Sequence, residues 1–322
     1  MMGERFRKTD SCGTAYTRIY ELIEHPLFVI NLLLDFYVSY RLQHCKSTLY
    51  VTWNEISDSD INADMLIMGN SRAEWQFNPL IIDSILHVNS YILGFSGSSI
   101  NRQVFKYNIY NHYQKKKPKW LIINIDYFNT LVWTDGFYRE QLFPYLTIPY
   151  MREQILKVES FSIIEKYIPI YRYTTYKGIW TLLSEEAKVV DIPIKGYTPY
   201  DKNWDPTEYN KVQTFHFETD KRTIKMFDEF LSERKDEGVQ VIFCYTPIYI
   251  GLTEKVDNLT EAYDTFQFYA DKYNIPIIDY TFSELSKDTT NFFNATHLNK
   301  KGAELFSIQL AHDLDSLGII SH

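Results

Sequence analysis

Three residues in this chain have the types and positions from which acyl-transfer chemistry could be built: Ser71, Gly97 and His297. The apolar run Met65–Met68 leads straight into Gly69-Asn70-Ser71-Arg72. A serine just past a buried strand, beside a glycine, sits on a tight strand-to-helix turn. Its hydroxyl is exposed there, and the first N–H groups of the next segment can face an oxyanion. Gly94-Phe95-Ser96-Gly97-Ser98-Ser99 follows a second apolar run, and its glycines let the backbone come close to a substrate or anion. His297 lies after a fifth apolar run, just before a helical pattern. Each is a common loop residue when taken alone. A serine nucleophile needs a base within about 3 Å and donors for the developing oxyanion, so the fold must bring the three together.

The elements needed to do this are legible. Short apolar runs at Met65–Met68, Ser90–Leu93, Trp120–Ile125, Val239–Tyr245 and Ile275–Asp279 alternate with amphipathic stretches at 78–87, 100–114, 220–235, 259–273 and 299–317. Strands that alternate with helices, and are apolar throughout, imply a parallel sheet covered on both faces. Ligands bind beyond the carboxyl ends of such strands. Ser71, Gly97 and His297 follow the first, second and fifth strands, so their loops converge on one edge. The expected organisation is an N-terminal helical segment over 1–50 and an α/β domain over 51–322, interrupted by an insertion at 130–219. That insertion is rich in rings, and some of Tyr171, Tyr173, Tyr176 and Trp180 are expected to line a groove at the same edge.

At this point the chain resembles the SGNH (GDSL-like) hydrolases, and in particular the branch associated with bacterial polysaccharide O-acetylation and alanylation. Asp64-Met-Leu-Ile-Met-Gly-Asn-Ser71-Arg72 is similar to the family's first block, Gly94-Phe-Ser-Gly97 to the second, and Thr296-His297-Leu298-Asn299-Lys-Lys-Gly302-Ala303 to the last. The resemblance covers about residues 50–130 and 220–317. It implies a flavodoxin-like five-stranded fold, Ser71 as nucleophile, His297 as base and the Gly97 N–H as an oxyanion donor. Two positions depart from the family. The third block's asparagine has no Gly-x-Asn-Asp context here, and Asn129 is the best-placed substitute. The acid three residues before the histidine is Asn294, an amide that can orient an imidazole but cannot stabilise imidazolium by charge.

The resemblance therefore implies a serine esterase or O-acyltransferase acting on carbohydrate acyl groups through an acyl-serine. The departures leave two further readings open. The chain could draw on another acid such as Asp288, or it could be a catalytically weak module that binds glycan or a partner in a polysaccharide-assembly system.

Composition narrows the remaining classes. The net charge is -8, and the one dense basic run is Lys115-Lys116-Lys117-Pro118-Lys119. That suits a solvated helix end, not a face for nucleic acid. Cys12, Cys45 and Cys244 have no metal-ligand spacing and their number is odd, so neither a disulfide framework nor a metal site is expected, and no cofactor. Pro26–Tyr40 is apolar but short for a membrane span of about 20 residues, and it carries Asp35. It reads as a buried or interfacial helix. With no cleavable signal of the usual form, the expectation is a cytoplasmic or membrane-peripheral protein, with peripheral association to membrane or polysaccharide machinery.

Overall fold

A computed structural model describes residues 26–47, 49–58, 61–128, 130–134, 138–174 and 193–320. Its centre is a sheet of five parallel strands: β1 (Met65–Gly69), β2 (Ser90–Gly94), β3 (Trp120–Ile125), β4 (Gln240–Tyr245) and β5 (Ile277–Asp279). The strand order β2-β1-β3-β4-β5 is that of flavodoxin-like doubly wound sheets. The direction of chain reversal changes beside β1, so a crevice opens at the carboxyl ends of β1 and its neighbours.

Strand pleating divides the apolar residues between two cores. Leu66, Met68, Leu121, Ile123 and Phe243 face one side, where Tyr107, Phe227, Phe230 and Phe266 cover them. Met65, Ile67, Ile122, Ile242 and Cys244 face the other, against Phe77, Ile82, Phe306 and Leu310. Because both faces are buried, β1, β2 and β3 are apolar along most of their length instead of alternating. Cys244 is a buried small side chain in this core.

Helix boundaries follow from their caps. The Asn78 side chain accepts from Leu80 N and Pro79 opens the helix Pro79–Leu86. Asp220 accepts from the Arg222 and Thr223 N–H groups ahead of Lys221–Asp236, and Asn299 accepts from Gly302 N ahead of Lys300–Ser316. Each satisfies N–H groups that have no partner within the helix.

The insertion falls into two parts. Residues 139–174 pack on the N-terminal helix Pro26–Gln43, joined by a buried ion pair between Arg172 Nη2 and Asp35 Oδ2 at 2.6 Å, while Ile170 N donates to Asp35 Oδ1 at 2.8 Å. Residues 193–217 run back along the site edge. Tyr173 is fully buried against Phe143, with its hydroxyl 2.7 Å from Ser39 Oγ. It therefore belongs to a core and is not among the expected rings that could line a groove. Tyr171 is exposed on the same short helix as Tyr173, while Tyr176 and Trp180 lie outside the described residues.

Candidate active site

Ser71 is the first residue of a short helix, Ser71–Gln76, that begins one residue after β1. Gly69 makes this turn possible: a Cβ there would lie 2.8 Å from Asn124 Cβ and 2.9 Å from Ala73 Cβ. Asn70 caps the helix, its Oδ1 accepting from Arg72 N at 3.0 Å. The residues on both sides of Ser71 are also tied to β3. Asn70 Nδ2 donates to Asp126 Oδ2 at 2.6 Å, and Arg72 Nη2 pairs with the same oxygen at 2.6 Å. Arg72 and Asp126 are both buried. One carboxylate thus fixes the Ser71 turn from either side.

His297 is not in a free loop, as the sequence had suggested. It sits on β7 (His297–Leu298), which pairs antiparallel with β6 (Phe292–Asn294), and Asn294 is opposite His297 in the register. The hairpin is held to the nucleophile helix by Gln76 Nε2, which donates to Thr296 O at 3.3 Å. The result is a continuous chain of hydrogen bonds. Ser71 Oγ lies 2.7 Å from His297 Nε2, and His297 Nδ1 lies 3.0 Å from Asn294 Oδ1 and 2.9 Å from Thr296 Oγ1.

The tautomer follows from the partners. The backbone N–H groups of Thr296 and His297 point at Asn294 Oδ1, at 3.1 and 3.0 Å. That atom must be the carbonyl oxygen, so it accepts, and Nδ1 carries the proton. Nε2 is then free to accept from the Ser71 hydroxyl, as a general base must.

The imidazole is enclosed by rings. Phe293 stacks on it at 5.3 Å with an interplanar angle of 9°, and Trp75 lies 4.7 Å away. Tyr200 stacks on Trp75 at 5.2 Å. Burial among these groups, and then the nearby Arg72 charge, push the His297 pKa down to about 3. The ring is neutral at pH 7. No carboxylate among the described residues hydrogen-bonds it. Asp288, considered from sequence as an alternative acid, is exposed and accepts instead from Thr290 N and Oγ1 at 2.9 and 2.8 Å.

Gly97 has φ of +66°, a conformation that suits glycine. Its loop is clamped from three directions. Phe95 N donates to Gly69 O at 2.9 Å, Lys106 Nζ donates to Gly94 O at 2.6 Å, and Ser96 Oγ donates to Glu74 Oε2. Glu74 is on the nucleophile helix, so the loop rests against that helix. Burial pushes the Glu74 carboxyl up and the Lys106 ammonium down to about 8. Among the described residues, neither the Ser71 N–H nor the Gly97 N–H has a hydrogen-bond acceptor. Asn129, the expected side-chain donor, lies outside the described residues.

On Trp75, the ring that packs against the imidazole, opens a cleft of about 380 Å³, lined by Glu74, Trp75, Ser96, Gln141, Thr198 and Tyr200 among others but not by Ser71 or His297 themselves. The insertion supplies three of these six. Its return segment is fastened here by Lys300 N donating to Tyr200 O at 2.9 Å and Thr198 N donating to Glu74 O at 2.9 Å. Of the insertion's rings, Tyr138 and Tyr200 line this cleft. No group of three or more potential metal ligands occurs among the described residues.

The fold and site together define an α/β protein whose parallel sheet carries a serine–imidazole–amide chain at its carboxyl edge. No protein-family model matches the sequence, and no curated protein matches it.

Proposed function

We propose that this chain is an SGNH-type serine esterase or O-acyltransferase that acts on acyl groups of carbohydrate. The observation that carries this reading is the 2.7 Å contact between Ser71 Oγ and a His297 whose other nitrogen is held by Asn294. In the reaction, His297 Nε2 takes the Ser71 proton as Oγ bonds to the acyl carbonyl carbon. The negative charge moves to the carbonyl oxygen, where the Ser71 and Gly97 N–H groups are the donors. When the tetrahedral intermediate collapses, the bond to the leaving sugar oxygen breaks and that oxygen takes the proton from Nε2. Water or a second hydroxyl then gives its proton to His297 Nε2 and attacks the acyl carbon; the bond to Ser71 Oγ breaks and Oγ takes that proton back from Nε2, which completes hydrolysis or transfer. Support for a sugar comes from the cleft, where the Trp75–Tyr200 pair and the polar side chains of Glu74, Ser96, Gln141 and Thr198 meet. Aromatic faces with polar groups at the rim suit a pyranose ring.

One observation favours a second reading. His297 has an amide where a carboxylate would stabilise imidazolium, and the Arg72 charge opposes protonation. A weak or inactive module that binds glycan or a partner would have no need of that carboxylate. Labelling with a fluorophosphonate separates the two readings. Stoichiometric labelling of the wild type, lost in Ser71→Ala and His297→Ala, is the expected result. A folded wild type that takes up no label, or a Ser71→Ala variant that labels equally, refutes the mechanism.

A further inference from the structure

The helix Pro26–Gln43 presents an apolar surface that the other described residues leave uncovered. Only Asp35, Val38, Ser39 and Leu42 are buried along it. Nine large apolar side chains are exposed, with Leu33 at 65% and Phe36 at 64%. Five more, at Ile163, Ile164, Tyr167, Ile168 and Tyr171, belong to the insertion segment that packs on this helix. Leu32 and Phe36 share a groove with Tyr167 and Ile168, so the two groups form one surface. Nine and five make fourteen of the twenty-three exposed large apolar side chains among the described residues. Such a concentration marks an interaction site.

Charge indicates what covers it. Between residues 26 and 40 the only ionisable carboxylate is Asp35, and Arg172 holds it inside the protein. Glu165 is likewise buried, paired with Arg139. Cations stand at the rim among the described residues. Arg41 Nη1 donates to Tyr37 OH at 3.0 Å, Arg152 lies over the Tyr167 ring at 5.5 Å, and Lys166 lines the same groove. This cationic rim belongs to a chain whose net charge is -8. A second copy docked about a two-fold axis would bring like charges together. An anionic lipid surface instead takes the apolar side chains at its acyl boundary, the tyrosines at headgroup level and the cations on its phosphates. The helix has 18 residues, about 27 Å at 1.5 Å per residue. No helix among the described residues is long and apolar enough to cross a membrane.

We propose that the helix Pro26–Gln43 and the segment 163–171 form one docking surface for an anionic lipid membrane, with the helix lying in the plane of the interface. The proposal does not depend on Ser71 chemistry, because its test reads binding alone. The full chain is floated with vesicles of phosphatidylcholine, with and without phosphatidylglycerol. Alongside it run Leu33→Glu/Phe36→Glu, which alters the helix, and Ile163→Ser/Tyr167→Ser, which alters the other half of the surface. Circular-dichroism melting selects folded variants, and light scattering gives the oligomeric state. The expected result is a monomer that floats with the anionic vesicles, with partitioning reduced about tenfold or more in each folded variant. The proposal is overturned if the wild type fails to float, if a folded variant floats as well as the wild type, or if the wild type is a dimer that the substitutions split.

Discussion

Replacing Asn294 by aspartate tests the charge logic of the site directly. Asn294 Oδ1 already accepts from His297 Nδ1, His297 N, Thr296 N and Thr296 Oγ1, at 3.0 to 3.1 Å. A carboxylate oxygen at the same place accepts the same four bonds, and these keep it ionised. The substitution therefore changes charge with little change in geometry. A carboxylate centre about 4 Å from imidazolium is worth about 4 kcal/mol at an effective dielectric of 20. Solvent screening at this part-exposed hairpin removes about half of that. The remaining effect, about 2 kcal/mol, corresponds to roughly thirtyfold in turnover. In serine proteases the converse change costs about 10⁴, but part of that loss comes from the wrong tautomer, and here the amide already selects the right one. The assay is hydrolysis of a simple acetyl ester by four proteins: wild type, Asn294→Asp, Ser71→Ala and the double variant. The gain should vanish with Ser71, because members of such a relay act as a unit. No gain in a folded Asn294→Asp protein, or a gain that survives Ser71→Ala, would refute the reasoning.

Other expectations follow from the same geometry. With the His297 pKa at about 3, wild-type turnover should stay level from pH 8 down to about 5, and a pH–rate profile with an inflection near 6.5 would contradict that environment. Folding stability should carry the corresponding signature. An unfolded histidine takes up its proton near 6.5 and the folded one only near 3, so His297 lowers stability as pH falls between those values, and His297→Gln should flatten that part of a stability–pH curve. Asp126→Ala leaves Arg72 buried without its ion pair and should cost about 3–5 kcal/mol in urea melts, part of it recovered by Arg72→Leu in the same chain. Gly97→Ala forces a side chain into positive φ at a cost of about 1–2 kcal/mol; fluorophosphonate labelling should slow while the thermal melt shifts little.

What could be read from sequence is what has a local signature. The five strands are unbroken apolar runs, and Asn78, Asp220 and Asn299 are caps with polar side chains at helix entry. Ser71 and His297 were legible through their place after strands, and Asn294 only through the family resemblance. The hairpin that carries His297 was missed, since its strands have two and three residues and no periodicity can show at that length. Trp75, Tyr200 and Phe293 also gave no signal, because they come from three separate segments and meet only when the insertion folds back. Tyr173, one of four rings of which some were expected to line a groove, is buried: a ring-rich segment does not reveal which of its faces has a partner. Asp126 was visible only as a break in the third block, and its two-sided hold on the Ser71 turn is a tertiary fact.

The contact between Ser71 and His297 spans 226 residues of chain. During synthesis Ser71 emerges long before His297, and four of the five strands of the sheet must be laid down in between. On the proposed mechanism, Ser71 is an ordinary alcohol, inert toward cellular esters, until the final hairpin docks. Reactivity therefore switches on late and all at once, as the last non-local contact closes. A nascent or half-folded chain does no stray acyl chemistry, and a covalent serine probe would count only finished molecules.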